Sequence, residues 1–269
     1  MIVRLREVRS ALFLPASNPR AIKKARSAGA DLVILDLEDA VKEADKDAAR
    51  GAAVDAARTA FGGALVAIRV NGTASQHHAP DWRAVSGSDA DLLVLPMAED
   101  AGELASFAAA VGKPVLAMIE TPGAVLRAGE IARAAGVVGL IAGTNDLCAA
   151  TGIRNEPGRA GLVTALQMMV LAARAAAIAV FDGVYNRLDD AEGFEAEARQ
   201  GVGWGFDGKA LIHPGQIAPA NRIFGPSPAD LEDAAALVTA ASGGAERFRG
   251  RMVEELHVEA AKRLLSRAN

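Results

Sequence analysis

Residues 92–95 read Leu-Leu-Val-Leu, a predicted strand that is apolar at every position. A strand with one solvated face alternates apolar and polar residues, so this run indicates burial on both faces, as in a parallel sheet covered by helices. Similar short runs recur along the chain, each followed by an alanine-rich stretch with helical spacing. The runs are Ala11–Pro15, Leu32–Leu37, Leu65–Val70, Leu92–Pro96, Val115–Ile119, Val137–Ala142, Ala179–Phe181 and Gly208–Ile212.

Eight βα units in 269 residues suit a closed (β/α)8 barrel, so we predict the α/β class with a TIM barrel. An open doubly wound sheet gives a similar pattern, but no Gly-x-Gly-x-x-Gly follows the first run. Among the connecting helices, the one expected from Pro19 has Asn18 as its N-cap.

The chain continues past the eighth run for too long to form a single closing helix. We expect two helices there, Pro228–Ala241 and Glu254–Ser266, with a mobile turn or short hairpin between them. The expected domains are therefore a catalytic barrel over residues 1–225 and a C-terminal helical extension over residues 226–269. That extension is expected to pack over a barrel mouth, its own or that of a neighbouring subunit.

Composition limits the classes of function. Hydrophobic residues make up 51% and charged residues 23%, which excludes wholesale disorder, and the net charge of −4 without a basic stripe argues against nucleic acid. The single cysteine, Cys148, cannot form an intramolecular disulfide and is expected to be a buried inert thiol. No apolar stretch is long enough for a membrane span. We expect a soluble cytoplasmic protein with small-molecule partners.

Four of the predicted strands end in charged or polar residues. Reacting groups of a (β/α)8 barrel lie at the carboxyl ends of its strands, where these residues would meet at one mouth. Taken singly, each of them is equally well explained as a helix cap or a surface ion pair. The four segments are Leu35–Asp39, Ile68–Asn71, Met118–Gly123 and Gly143–Asp146.

Glu120 and Asp146 are the candidate ligands of a divalent cation, because Mg²⁺ commonly takes one or two protein carboxylates and completes its shell with water and substrate oxygens. Asp146 has the alternative role of capping a helix that begins at Leu147. The planar guanidinium of Arg69 suits a substrate carboxylate or a developing enolate. Its alternative is pairing with acidic residues of the neighbouring strand, and both roles are compatible.

The acidic residues Asp36, Glu38 and Asp39 are too many for a single substrate contact. Strand alternation places Asp36 and Glu38 on one side, where they would contact substrate or orient metal-bound water, and Asp39 on the other, as an N-cap. In the polar loop that follows the third run, His77 and His78 are interpreted as surface residues.

The residues at these strand ends occur in motifs that resemble the citrate lyase beta subunit family, within the HpcH/HpaI aldolase superfamily. The resemblance spans nearly the whole chain. The motifs are Leu12–Ala16, Leu35–Val41, Ile68–Asn71, Ile119–Ala124, Gly143–Leu147 and the segment from Gly205 to Pro214.

The resemblance implies a Mg²⁺-dependent carbon–carbon lyase, of the oxo-acid-lyase type, assembled as a homotrimer or hexamer. Such an enzyme cleaves or forms a 3-hydroxy-carboxyacyl-CoA of the citramalyl or malyl type, with acetyl-CoA and a 2-oxo acid on the other side of the reaction. It implies that Glu120 and Asp146 bind the metal and that Arg69 binds carboxylate and enolate. Coenzyme A phosphates are expected near Arg20 and Lys24.

One segment departs from the family pattern. Many relatives carry Met-Val-Asp-x-Pro near the C-terminus, where the aspartate acts as acid or base over the neighbouring subunit's mouth. This chain has Met252-Val253-Glu254-Glu255-Leu256 instead, so the resemblance gives the acid–base role to Glu254, one methylene longer. The change alters the reach of a positioned base.

Three alternatives compete with this interpretation. The first is the beta subunit of a citrate lyase complex, acting on a thioester of an acyl carrier protein. The second, a free-acid aldolase of the HpcH branch, is discounted, because it uses an early histidine base and this chain has no histidine before His77. The third is a catalytically altered paralogue that binds a metabolite, which the changed segment around Glu254 suggests and the intact Arg69, Glu120 and Asp146 oppose.

Overall fold

The computed structural model, which describes residues 1–154 and 156–266, contains a closed barrel of eight parallel strands in sequential order. This confirms the predicted (β/α)8 fold, and every strand boundary lies within one residue of its predicted position. The strands are β1 Ser10–Pro15, β2 Leu32–Asp36, β3 Leu65–Arg69, β4 Leu92–Leu95, β5 Val115–Ile119, β6 Val137–Ala142, β7 Ala179–Asp182 and β8 Gly208–Leu211.

The helices connect and cover these strands. Asn18 caps α2 as predicted, its side chain accepting the Ala21 N–H at 3.1 Å. Sequence patterns missed α4 and α11, which are nine and eight residues long. The helices are α1 Ile2–Leu5, α2 Pro19–Ala25, α3 Lys46–Ala57, α4 His78–Ser86, α5 Ala101–Val111, α6 Pro122–Leu126, α7 Ala128–Ala132, α8 Thr144–Thr151, α9 Val163–Ala175, α10 Ala191–Trp204, α11 Ile217–Phe224, α12 Pro228–Ala240 and α13 Glu255–Ser266.

The barrel interior is filled by apolar side chains from alternate strand positions. Leu65 and Ala67 of β3 and Leu116 and Met118 of β5 belong to this buried cluster. Because side chains alternate along a strand, Arg69 is the next inward position of β3. In β5 the same period, continued one residue past the end of the strand, reaches Glu120, where the polar part of the barrel begins.

The chain divides into two compact units, Met1–Asn221 and a second that begins at Arg222, within α11. In the second unit, α12 and α13 flank a hairpin of β9 (Glu246–Phe248) and β10 (Arg251–Val253). Its core contains Ala234, Leu237, Val253 and Ala261. Within the two described ranges, no helix is long and apolar enough to cross a membrane.

Candidate active site

A cavity of about 340 Å³ lies at the carboxyl ends of the barrel strands. Its lining includes one guanidinium and four carboxylates, supplied by the ends of β2 and β3, the loops after β2 and β5 and the first turn of α8. The cavity therefore brings together four residues that the sequence singled out from separate strands and, in addition, Asp39. The charged lining residues are Asp36, Asp39, Arg69, Glu120 and Asp146.

The buried ion pair of Arg69 and Asp36 follows from strand register. The two residues are opposite each other in the β2–β3 pairing, and Arg69 Nε and Nη2 each donate to one Asp36 oxygen at 2.6 Å. Asp36 also accepts the backbone N–H groups of Glu38, at 2.9 Å, and Ala40, at 3.1 Å. The bidentate contact fixes the plane of the guanidinium, so that its Nη1 end faces Glu38 and Asp39.

That Nη1 end lies 2.9 Å from Glu38 Oε2 and 3.4 Å from Asp39 Oδ2. The expectation that Asp39 points away and caps the next turn is therefore wrong. Strand alternation stops at Asp36, where β2 ends, and the following residues wind around the Asp36 carboxylate instead. All three acidic side chains consequently face the same guanidinium.

Burial and mutual repulsion shift the pKa values of this cluster. Burial raises the pKa of Glu38 to about 8 against the opposing charge of Arg69, and the charges of Asp39, Glu120 and Asp36 raise it further. Burial acts to lower the pKa of Arg69, but Asp36, Glu38 and Asp39 outweigh it and raise that pKa above its ordinary value. The guanidinium therefore stays charged throughout the accessible pH range.

Glu120 is 2% exposed and is held by the backbone. Its Oε1 accepts the N–H of Met97 at 2.6 Å, and Met97 has a φ of 51°, which is uncommon outside glycine. Burial raises the pKa of Glu120 to about 7, the Met97 bond opposes this, and the charge of Asp146 adds to it. A buried carboxylate with so high a pKa is one that a cation would stabilise.

Asp146 is exposed and lies in the first turn of α8. The N-cap of that helix is Gly143, so the alternative role of Asp146 as a cap is wrong. The helix begins three residues earlier than the sequence suggested, and Asp146 remains available to the cavity. The Oγ1 atom of Thr144, in the same turn, is buried and has no hydrogen-bond partner within the described ranges.

These donors fit a hard divalent cation. Carboxylate oxygens are the side-chain ligands that Mg²⁺ prefers, and it keeps several positions for water and substrate. Four carboxylates against one guanidinium leave the cavity with an excess of negative charge. Within residues 1–154 and 156–266, no group of three or more His, Cys, Asp or Glu is arranged to hold a metal. Two of the carboxylates, Glu120 and Asp146, could hold such an ion together with water and substrate oxygens.

We expect Gly143→Ala to disrupt this pair. A Cβ at Gly143 would lie 2.4 Å from both Cβ and Oε2 of Glu120, and the buried Glu120 Cβ cannot move without its backbone. Mutation of a residue that positions a metal ligand typically lowers metal affinity by about 10- to 100-fold. Titration calorimetry with Mg²⁺ measures this loss. Gly51→Ala in α3 is the matched control, because its Cβ meets no atom within 4 Å; unchanged affinity in both variants would contradict the assignment.

The remaining predicted site residues lie elsewhere. Arg20 and Lys24 are exposed on α2, the helix that follows β1. Glu254 belongs to the second unit, where it precedes α13 and its N–H donates to His257 Nδ1 at 3.0 Å. The barrel cavity and Glu254 are thus in separate compact units, and the acid–base role of Glu254 stays a prediction.

His77 and His78 are less exposed than predicted. His77 Nε2 lies 2.8 Å from Glu43 Oε1, and the His78 ring packs against Phe107 with centroids 5.1 Å apart. A partner distant in sequence gave no local signal. Neither histidine lines the cavity, and Cys148 is buried, as predicted.

Three residues of the site were missed by sequence reasoning. Met97 and Gly143 act through backbone, one as a donor and one by lacking a side chain. The Phe13 ring lies 5.2 Å from Arg69 Cζ. Gly143 and Phe13 lie within the motifs Gly143–Leu147 and Leu12–Ala16, but only the fold shows what they contact.

The chain is similar to several known proteins over nearly its whole length. A (3S)-malyl-CoA thioesterase of Cereibacter sphaeroides is 40% identical over 97% of this chain and 94% of its own. The citrate lyase subunit beta of Leuconostoc mesenteroides is 32% identical over 97% of this chain and 93% of its own. Protein CitE of Mycobacterium tuberculosis, solved with magnesium, acetoacetate and coenzyme A, superposes with a TM-score of 0.84 at 34% identity. That match covers 98% of this chain and 99% of the other.

The family model described as HpcH/HpaI aldolase/citrate lyase matches residues 9–214. This range contains all eight strands and the whole lining of the cavity. The relationship predicted from the strand-end motifs is thereby confirmed, and the chain belongs to the HpcH/HpaI aldolase/citrate lyase family.

Proposed function

We propose that the protein is a Mg²⁺-dependent lyase that cleaves or forms the carbon–carbon bond of a 3-hydroxy-carboxyacyl-CoA of the citramalyl or malyl type. The products of cleavage are acetyl-CoA and a 2-oxo acid. The observation that carries the proposal is that Arg69, Glu120 and Asp146 line one cavity. The guanidinium suits an enolate, and the two carboxylates suit a divalent cation. The family's solved structures with magnesium support the choice of metal.

Glu120 and Asp146 would hold the ion. When bound, Mg²⁺ supplies Lewis-acid polarisation of the oxygen that becomes the carbonyl of the 2-oxo acid. The chain's own residues do the rest. A base takes the proton of the 3-hydroxyl group, the carbon–carbon bond breaks, and its electron pair passes to the thioester as an enolate. Protonation of the enolate carbon completes acetyl-CoA.

Arg69 stabilises the negative charge of that enolate. Its Nε and Nη2 are fixed by Asp36, so Nη1 is the end that reaches the reacting atoms, with Glu38 and Asp39 as its present neighbours. Asp36 and Glu38 therefore define the substrate-binding side of the guanidinium. A donor fixed before the reaction is worth more than one that must reorganise during it.

We assign the proton transfer to Glu254 and the coenzyme A phosphates to Arg20 and Lys24. Both assignments rest on the family resemblance. The coenzyme A assignment also rests on the exposure of the two cations on α2. For Glu254 the same rationale includes assembly of several copies, with the second unit of one copy reaching the barrel of another. We place the enzyme in the cytoplasm as a homotrimer or hexamer, and light scattering of the purified protein measures that mass.

A second activity, thioester hydrolysis, is favoured by the 40% identity to (3S)-malyl-CoA thioesterases. A citrate lyase complex, with an acyl carrier protein as the thioester carrier, is supported by the similarity to the Leuconostoc mesenteroides subunit. A catalytically altered metabolite-binding paralogue is the non-enzymatic alternative.

One assay separates these possibilities. Purified protein with Mg²⁺ is given malyl-CoA, citramalyl-CoA and citryl-CoA, and both the 2-oxo acid and free thiol are measured. Release of oxo acid without thiol identifies a lyase, whereas thiol release indicates thioester hydrolysis. Activity on a citryl carrier protein without activity on any CoA thioester would replace the proposal by a subunit of a citrate lyase complex. No activity on any thioester would leave the metabolite-binding paralogue as the interpretation.

We expect Mg²⁺ affinity to fall as pH decreases below about 7. The pKa of Glu120 is raised to about 7, so a proton competes with the metal below that pH, by up to tenfold in affinity per pH unit. A raised folded-state pKa means that metal-free stability from this group is complete below its ordinary 4.5 and is lost as pH rises through 7. Titration calorimetry at pH 6, 7 and 8 measures the Mg²⁺ affinity, and scanning calorimetry of the metal-free protein measures its stability at the same pH values. An affinity independent of pH would contradict the metal assignment.

A further inference from the structure

A second polar cluster centres on Lys46 and contacts the backbone of the acidic loop, residues 36–40. This lysine is the first residue of α3 and is 9% exposed. Its Nζ donates to Leu37 O at 2.9 Å, to Glu38 O at 3.0 Å and to Asn71 Oδ1 at 2.7 Å. The ammonium thus gives all three of its hydrogens to uncharged oxygens, two of them in the backbone of the acidic loop.

Asn71 connects Lys46 to the barrel wall. Its Nδ2 donates to Leu37 O at 3.0 Å and to Asp81 Oδ2 at 2.6 Å, and its backbone N–H donates to the same Asp81 oxygen at 2.9 Å. Asp81 is fully buried and accepts from Arg50 Nε at 2.7 Å. The partners of Lys46 are therefore fixed by α3 and α4.

The loop between Asp36 and Ala40 is held from both sides. Its N–H groups at Glu38 and Ala40 donate to the Asp36 carboxylate, and its carbonyls at Leu37 and Glu38 accept from Lys46. Pairing with β3 fixes this backbone only at Leu37, whose N–H donates to Arg69 O at 2.9 Å, because β2 ends at Asp36. Beyond Leu37, the position of the Glu38 carboxylate at Arg69 Nη1 depends on these side-chain contacts and on the Val41 N–H, which donates to Glu38 O at 3.1 Å.

We propose that Lys46 is a positioning residue of the lyase site, which holds the Leu37 and Glu38 carbonyls so that Glu38 keeps Arg69 Nη1 in its reactive orientation. This inference rests on the proposed function. It explains a buried ammonium that contacts no part of the cavity, since burial of a charge costs free energy that hydrogen bonds must offset. Lys46 touches neither substrate nor metal and acts through the loop.

The test replaces Lys46 by methionine, which keeps the length of the side chain and removes the charge. We expect kcat/KM for the preferred thioester to fall about 10- to 100-fold, chiefly in kcat, because a small displacement of a catalytic group has effects of this size. Lys42→Met is the matched control, since Lys42 is exposed and precedes the same helix. Equal activity of the two variants would overturn the proposal.

A double-mutant cycle separates positioning from general structural support. In a Glu38→Leu background, which removes the acceptor for Arg69 Nη1, Lys46→Met should lower activity only about twofold, because the contact that Lys46 supports is already lost. A purely structural role predicts that the two losses multiply and that activity follows melting temperature. Multiplying losses would therefore exclude the proposed route through Glu38. If Lys46→Met does not fold, the same double-mutant cycle is carried out with Lys46→Gln, which retains one donor group.

A readout independent of activity separates this inference from the proposed function. Crystal structures of the parent and Lys46→Met proteins compare the distance between Glu38 Oε2 and Arg69 Nη1, which is 2.9 Å here. We expect this contact to break in the variant. A retained contact in the variant overturns the positioning role, whatever the activity. If the contact breaks in the variant and the parent protein is inactive on every thioester, the positioning role stands and only the lyase function is overturned.

Discussion

Glu120→Gln is expected to lower kcat about 10³-fold or more in saturating substrate, because Lewis-acid polarisation is worth several kcal/mol and each 1.36 kcal/mol is a factor of ten. The glutamine amide keeps an oxygen for the Met97 N–H, which Glu120 Oε1 accepts at 2.6 Å. It loses the negative charge that a divalent ion needs. Calorimetry should detect no Mg²⁺ binding at concentrations that saturate the parent protein.

The metal-free stability of this variant distinguishes loss of metal from loss of fold. Burial raises the pKa of Glu120 to about 7, so at pH 8 the folded parent carries a buried charge that a glutamine avoids. We therefore expect the melting temperature of metal-free Glu120→Gln to equal or exceed that of the parent. Glu130→Gln, on the exposed face of α7, is the matched control and should retain activity. Full activity of Glu120→Gln would remove Glu120 from the metal site.

The fold and most of the site could be predicted because they depend on local patterns. A strand such as Leu92–Leu95 is apolar throughout because both its faces are buried, and this is visible in four letters. Arg69 follows two inward apolar positions of β3, so the alternation of the strand alone directs it to the barrel interior. Such features require no knowledge of distant contacts.

The residues that were missed act through contacts between distant segments. Asp39 was placed wrongly because the backbone leaves strand geometry at Asp36, and only the hydrogen bonds to the Asp36 carboxylate reveal the turn. The role of Gly143 depends on the position of Glu120, in the loop after the neighbouring strand β5. The buried Lys46 reads as an ordinary solvated lysine until α3 is packed against the loop. Backbone geometry and packing, rather than residue type, determine these three functions.

Arg69→Lys is expected to lower kcat about 10²- to 10³-fold, which is the usual effect of removing one preorganised donor from a developing negative charge. Lysine keeps the positive charge but cannot make two parallel bonds to Asp36, which Arg69 makes at 2.6 Å each. Stability should also fall, by about 1–3 kcal/mol, since the nearly fully buried Asp36 loses one charged partner bond. Steady-state kinetics and denaturant unfolding measure the two effects separately.

The metal affinity of Arg69→Lys decides how the two effects are interpreted. Because the charge is kept, Mg²⁺ binding at Glu120 and Asp146 should change by no more than a few-fold, unlike in Glu120→Gln. Arg83→Lys, exposed on α4, should match the parent in every assay. Retained Mg²⁺ binding with a large loss of kcat assigns Arg69 to the enolate and Glu120 to the metal as separate functions. A parallel loss of both would instead mean that the guanidinium maintains the acidic cavity as a whole, and enolate stabilisation would need another donor.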